Sequence, residues 1–138
     1  MLLLMALLER PERSESLRAY QRDRWGSANS SGETCVIELS GLAANNFKVS
    51  RDRELFRQER INVIRQRMRA YRPRLVVMYG ASEKKHWESI AERSFPADNI
   101  LKLESTVIAC TLHPTSHGLE NEYWTNWGKR LRQEASDS

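Results

Sequence analysis

Six consecutive residues, His113-Pro114-Thr115-Ser116-His117-Gly118, gather more chemistry than any other stretch of this chain. They follow directly on Thr106 to Leu112, an apolar run of strand length. A histidine at a strand end, fixed by the next proline, can hydrogen-bond a ligand or stabilise developing negative charge while neutral. Thr115 and Ser116 add hydroxyls and backbone amides close to the expected start of a final helix, a natural seat for a phosphate. The plainer reading is that His113 caps its strand and satisfies a loop carbonyl, the commoner fate of a lone histidine. His113 and His117 lie four apart, which is metal-ligand spacing only on a helix, and Pro114 and Gly118 argue against one there. No cysteine or carboxylate nearby completes a set, so no metal site is expected.

Glu38 is the second unusual residue, a carboxylate inside the otherwise apolar run Cys35 to Leu39. Burial would raise its pKa and suit it to acid–base work. More often such a residue stands at an exposed strand end or pairs with an arginine. Trp124 and Trp127, three apart, could stack on bases, although tryptophans at helical spacing more often pack inward. The chain contains no nucleophile elbow, no phosphate-binding glycine loop and no dinucleotide-binding fingerprint.

These residues need elements to position them, and the pattern supplies them in alternation. Helical spacing covers Arg13 to Trp25, and the segment from Gly26 to Gly32 is a loop by composition. Cys35 to Leu39 reads as a short buried strand, followed by a Gly/Ala/Asn-rich segment to Asn46. Ser50 or Asp52 can cap the next helix, where Phe56, Ile61, Ile64, Met68 and Tyr71 form one apolar stripe. Pro73 ends it. Leu75 to Tyr79 follows as a strand closed by Gly80, and a helix is expected from Ser82 to Arg93. Ile100 to Leu103 and Thr106 to Leu112 are two further strands, and a last helix runs from Leu119 to Glu134. Continuous apolar strands separated by amphipathic helices predict an α/β fold: a three-layer α/β/α sandwich around a short, mostly parallel sheet. Ligands of such sheets bind beyond the carboxyl ends of the strands, which are here Glu38 to Asn46, Tyr79 to Ser82 and His113 to Gly118.

Composition bounds the rest. A chain of 138 residues predicts one domain over residues 1–138, and 40% hydrophobic with 29% charged residues is ordinary for a globular protein. The two cysteines, Cys35 and Cys110, both lie in apolar runs, which argues against a disulfide framework and for a cytoplasmic setting. The net charge of +4 is uneven: residues 51–74 hold nine arginines against Asp52, Glu54 and Glu59, a local +6. Such a helix can face an anionic polymer, or simply be a solvated face. The opening MLLLMALLERPERSE lacks a basic leader and a cleavage site and is too short to span a bilayer. It reads as an interior element whose upstream partner is missing.

In this order the segments resemble the uracil-DNA glycosylase superfamily. One block is Arg74-Leu75-Val76-Val77-Met78-Tyr79-Gly80-Ala81-Ser82 with Lys84-Lys85, similar to the family's strand ending in glycine and its following helix. The other is His113-Pro114-Thr115-Ser116, similar to the family's His-Pro-Ser signature, leading into an aromatic-rich last helix. Cys35 to Leu42 lies where the family has its base-recognition strand, and the resemblance spans roughly residues 33–132. It implies an enzyme that reads a flipped-out base in a pocket above the strand ends, needing no cofactor. His113 would contact the base and stabilise its departing anion, Glu38 and Gly80 would line the base pocket, and Thr115 and Ser116 would hold the DNA backbone. Nothing before Glu33 matches the family's first motif, which positions the attacking water, so that motif is expected to be cut away or lost. Glu38 stands where many members have asparagine, which puts uracil specificity in question, and His117 falls near the family's wedge residue. The implied partner is single- or double-stranded DNA, not a membrane. The alternatives are a non-catalytic nucleic-acid-binding module and a domain repurposed for another ligand.

Overall fold

The computed structural model describes residues 2–8, 14–24, 34, 36–39 and 50–136. In chain order its elements are α1 (Leu2–Leu7), α2 (Ser14–Arg24), α3 (Ser50–Tyr71), β1 (Leu75–Tyr79), α4 (Lys84–Ala91), β2 (Ile100–Leu103), β3 (Thr106–Thr111) and α5 (Asn121–Ser136). A single 3-10 turn, Ala81–Glu83, precedes α4. The chain divides into two compact units, Ile37–His113 and a second made of Met1–Val36 with Pro114–Ser138. Among the described residues no helix is long and apolar enough to cross a membrane.

The unit Ile37–His113 is an α/β arrangement around a three-stranded sheet of order β1-β3-β2. β1 runs parallel to β3, from Leu75 opposite Val107 to Tyr79 opposite Thr111. β2 runs antiparallel to β3, from Ile100 opposite Ala109 to Leu103 opposite Thr106. The sheet is therefore mixed, and not mostly parallel as its apolar runs suggested. The reason is the connection. Only Glu104 and Ser105 separate β2 from β3, and a two-residue link can join strands only as a hairpin.

Alternation along the strands sorts their side chains onto two faces. Val76, Met78, Leu101, Leu103, Ile108 and Cys110 share one face and pack with Ile61, Ile64 and Met68 of α3 and Trp87, Ile90 and Ala91 of α4. On the opposite face the central strand is buried, with Val107, Ala109 and Thr111 each no more than 2% exposed, while Tyr79 of β1 and Lys102 of β2 are exposed. The stripe on α3 was legible in the sequence except at its end, where Tyr71 is 81% exposed. There the chain leaves the helix: Arg72 takes a left-handed φ of 42°, its amide donates to the Met68 carbonyl at 2.9 Å, and Pro73 forbids another turn.

The expected strand from Cys35 to Leu39 is not one. Cys35 lies outside the described residues, and Val36 to Leu39 carry no regular structure although Leu39 reaches the core. A side chain has replaced a strand partner: Arg60 of α3 donates from Nε and Nη2 to the Glu38 carbonyl at 3.2 and 2.7 Å. The segments Gly26 to Gly32 and Ser40 to Asn46 also lie outside the described residues.

In the other unit, the apolar opening folds as α1 and buries Leu3, Met5 and Ala6. It is an interior element as expected, and the helix against which it packs is α5. A Cβ at Gly128 of α5 would stand 2.6 Å from the Ala6 Cβ and 3.0 Å from the Leu7 amide nitrogen, with the Leu3 carbonyl closer still. A glycine there lets two helix backbones touch. Leu131, one turn further on, is fully buried, as is Tyr20 of α2.

Candidate functional site

The parallel β1–β3 pair sets the geometry that the sequence pointed to. With Tyr79 opposite Thr111, the residues that follow each strand emerge at the same carboxyl edge. Gly80 is the first beyond β1, and His113 is the second beyond β3. The ladder continues one step past the strands, because the Gly80 amide donates to the Thr111 carbonyl at 2.9 Å. The Gly80 carbonyl then accepts from Trp87 Nε1 at 3.0 Å and from the Glu83 amide at 3.0 Å. All of its backbone polar groups are thus engaged, and its φ of 100° with ψ of 92° is open only to glycine at low cost. A Cβ built on Gly80 meets nothing within 4 Å. The residue is demanded by its backbone angle, and the space above it is open.

His113 is exposed, as are its neighbours Leu112 and Pro114. Tyr79, the last residue of β1, is 36% exposed, and what burial it has pushes its phenol above the ordinary range. Cys110 on the central strand is buried, and that burial pushes its thiol up, with Lys84 opposing. It packs as a hydrophobe and offers no nucleophile. Lys84, the first residue of α4, donates from Nζ to Asn99 Oδ1 at 2.8 Å and ties the start of the helix to the loop before β2.

The remaining predicted residues are placed differently. Glu38 is exposed, and its backbone is held to α3 through Arg60. Its side chain is therefore exposed and not buried as a strand interior would hold it. Thr115 is exposed and Ser116 half-buried in the irregular stretch of the second unit. Helix α5 begins at Asn121, not Leu119, so four residues separate it from Ser116. Gly118, with a φ of 76°, turns the chain in between, and neither hydroxyl belongs to the helix's first turn. Trp124 and Trp127 are half-buried, and Tyr123 meets both edge-on, with ring centroids at 4.9 and 6.5 Å. The Arg130 guanidinium lies 5.6 Å over the Trp127 ring, which takes up one face of the better stacking candidate. His117 is exposed.

One ionisable group escaped the sequence reading. His86 in α4 is 7% exposed, with Arg57 Nη1 3.2 Å and Glu83 Oε2 3.5 Å from its Nε2. Burial, then Arg57, holds its imidazole below the ordinary histidine range, while Glu83 pulls the other way. It is therefore a neutral acceptor for Arg57. The signal was in the spacing, since His86 lies four residues before Ile90 on the inward stripe of α4. Of the nine arginines of residues 51–74, the eight whose side chains are described likewise split by role. Arg57, Arg60 and Arg65 are half-buried and tied within their own unit, while Arg53, Arg67, Arg69, Arg72 and Arg74 are exposed.

Among the described residues no group of three or more His, Cys, Asp or Glu could hold a metal ion. What the edge offers is Gly80, with nothing within 4 Å of a Cβ built on it, and an exposed histidine two residues beyond β3. No protein-family model, no curated protein and no solved structure matches this chain.

Proposed function

We propose that this chain is a nucleic-acid-binding domain of uracil-DNA-glycosylase type, which receives an extruded base at the carboxyl edge of β1 and β3. The observation that carries this reading is the parallel register: Gly80 and His113, the marks of the two resembling blocks, follow adjacent strands at one edge. Nothing lies within 4 Å of a Cβ built on Gly80, although the residue itself is buried, and this supports close approach of a base to its backbone. His113 hydrogen-bonds the base and, in an excision reaction, stabilises the anion that leaves. The resemblance assigns contact with the phosphate backbone to Thr115 and Ser116. Burial of the central strand on both of its faces supports a three-layer α/β/α build.

Binding is the primary activity in this reading, and excision requires a water-positioning residue supplied by the family's first motif. The test is fluorescence anisotropy with a labelled single-stranded oligodeoxynucleotide across a salt series, with wild type and His113→Ala side by side. Salt-sensitive binding, weakened about tenfold or more by the substitution, is expected for one lost contact to a base. Binding unchanged by the substitution would remove the base from this edge, and no binding even at low salt would remove nucleic acid altogether.

A further inference from the structure

A cleft in the unit Ile37–His113 lies at the other end of the sheet from His113. Its volume is about 680 Å³, within the range of small-molecule sites. Met68, Ile90, Ala91, Leu103 and Ile108 contribute apolar surface to it, and Arg65, Arg69, Arg72, Arg93 and Lys102 contribute cations. Only Glu92 and Glu104 oppose them, which leaves the lining at +3. The cations differ in what they already do. Arg65 donates to the Ser89 carbonyl at 2.6 Å and approaches Glu92 at 3.7 Å, and Arg69 also pairs with Glu92. Those two brace α3 against the end of α4 and consume the charge of Glu92. Arg72 and Arg93 are exposed, and neither guanidinium has a hydrogen-bond or ion-pair partner among the described residues.

The backbone around this cleft carries a second sign of use. Among the described residues four non-glycine residues have positive φ, and three of them, Arg72, Glu92 and Glu104, line it. Arg72 and Glu92 end helices in the left-handed conformation, and Glu104 opens the β2–β3 hairpin. Glycine or asparagine is the low-strain choice at such positions. Long charged side chains stand there instead, all directed to one cleft's lining. From the unpaired arginines, the positive lining and the apolar surface between them, we propose that this cleft is a phosphate-binding site. A guanidinium pair clamps phosphate oxygens bidentately, and the apolar surface accepts the sugar or base attached to them. The phosphate comes from a free nucleotide or from a nucleic-acid strand, and the site is independent of the Gly80–His113 edge.

Arg72→Gly with Arg93→Gln removes both unpaired charges, and the glycine also relieves the left-handed strain, so the fold survives; a thermal-unfolding scan verifies this. The probes are a 5′-phosphorylated, fluorescently labelled oligothymidylate and thymidine 5′-monophosphate. Oligonucleotide affinity is read by anisotropy across a salt series in wild type, the double variant, His113→Ala and the triple variant. Mononucleotide binding is read from the backbone amide NMR shifts of Arg72, Arg93 and Ser105. The double variant is expected to weaken oligonucleotide binding about tenfold and to lower the salt slope by about 2, with or without His113. Saturable mononucleotide shifts at the cleft, lost in the double variant, assign it to a free nucleotide; an effect on the oligonucleotide alone assigns it to a strand. If only His113→Ala matters, the cleft proposal is overturned while the strand-edge reading stands. If neither probe responds to the arginines, the cleft proposal is likewise overturned.

Discussion

At the scale of single residues, the chemistry of this chain rests on backbone angle and burial more than on any motif. Gly80 is needed for its φ of 100°, and the space above it is open, so Gly80→Ala tests conformation with little steric confusion. The substitution is expected to lower stability by about 2 kcal/mol, read from the urea midpoint, because an L side chain is strained in that region of the map. His86 makes the second prediction. Its imidazole is held neutral by burial and by Arg57, with Lys85 in the same direction and Glu83 and Glu54 opposing. A histidine whose pKa is lowered in the fold takes up a proton on unfolding. Its stability contribution is therefore complete above about pH 6.5 and is lost as pH falls through and below that value. Urea midpoints should drop between pH 7.5 and 5, and His86→Gln should flatten that drop; an unchanged slope would clear His86 of the role. The strand-end glycine and His113 were legible because strand ends carry their own punctuation. His86 was equally legible by spacing but was passed over among the charged residues beside it. The exposure of Glu38 was not legible from its apolar neighbours, because the segment is held to α3 by Arg60, twenty-two residues away.

At the scale of elements, helices were read from sequence more faithfully than strands. The stripe on α3 and the aromatic face of α5 follow a period of 3.6 over many residues, so that an error at one end, such as Tyr71, leaves the rest intact. Strands of four to six residues lack that redundancy. The hairpin of β2 and β3 could have been anticipated, since two residues between strand runs exclude a crossover; the expectation of a mostly parallel sheet did not include it. Cys35 to Leu39 had a strand's composition, but composition cannot show whether a neighbouring strand or a guanidinium takes up the backbone carbonyl. The packing of α1 on α5 was beyond local reading, since it joins the two ends of the sequence. It has a sharp test in Gly128→Ala, whose new methyl would meet the backbone of α1. The expected cost is about 2 kcal/mol, at the level of overpacked cores, and calorimetry measures it as a lowered Tm. A neutral result would mean that α1 does not approach α5 as described.

At the scale of the whole molecule, the sequence indicated an α/β chain with an uneven positive charge, and the structure resolves that charge into separate tasks. Part of it is internal: Arg57, Arg60 and Arg65 hold His86, the Glu38 carbonyl and the Ser89 carbonyl. Part is outward, and net charge alone could not divide the two. The functional reading concentrates on one edge, where a parallel pair delivers Gly80 and His113 together. The most direct measurement is a titration of the isotopically labelled chain with uracil and with cytosine as free bases, followed at the backbone amides of Gly80, Leu112 and His113. Saturable shifts confined to those amides, and abolished by His113→Ala, are the predicted result. Bases that leave these amides unmoved at millimolar concentration, or that shift only residues elsewhere, would contradict a base pocket at this edge.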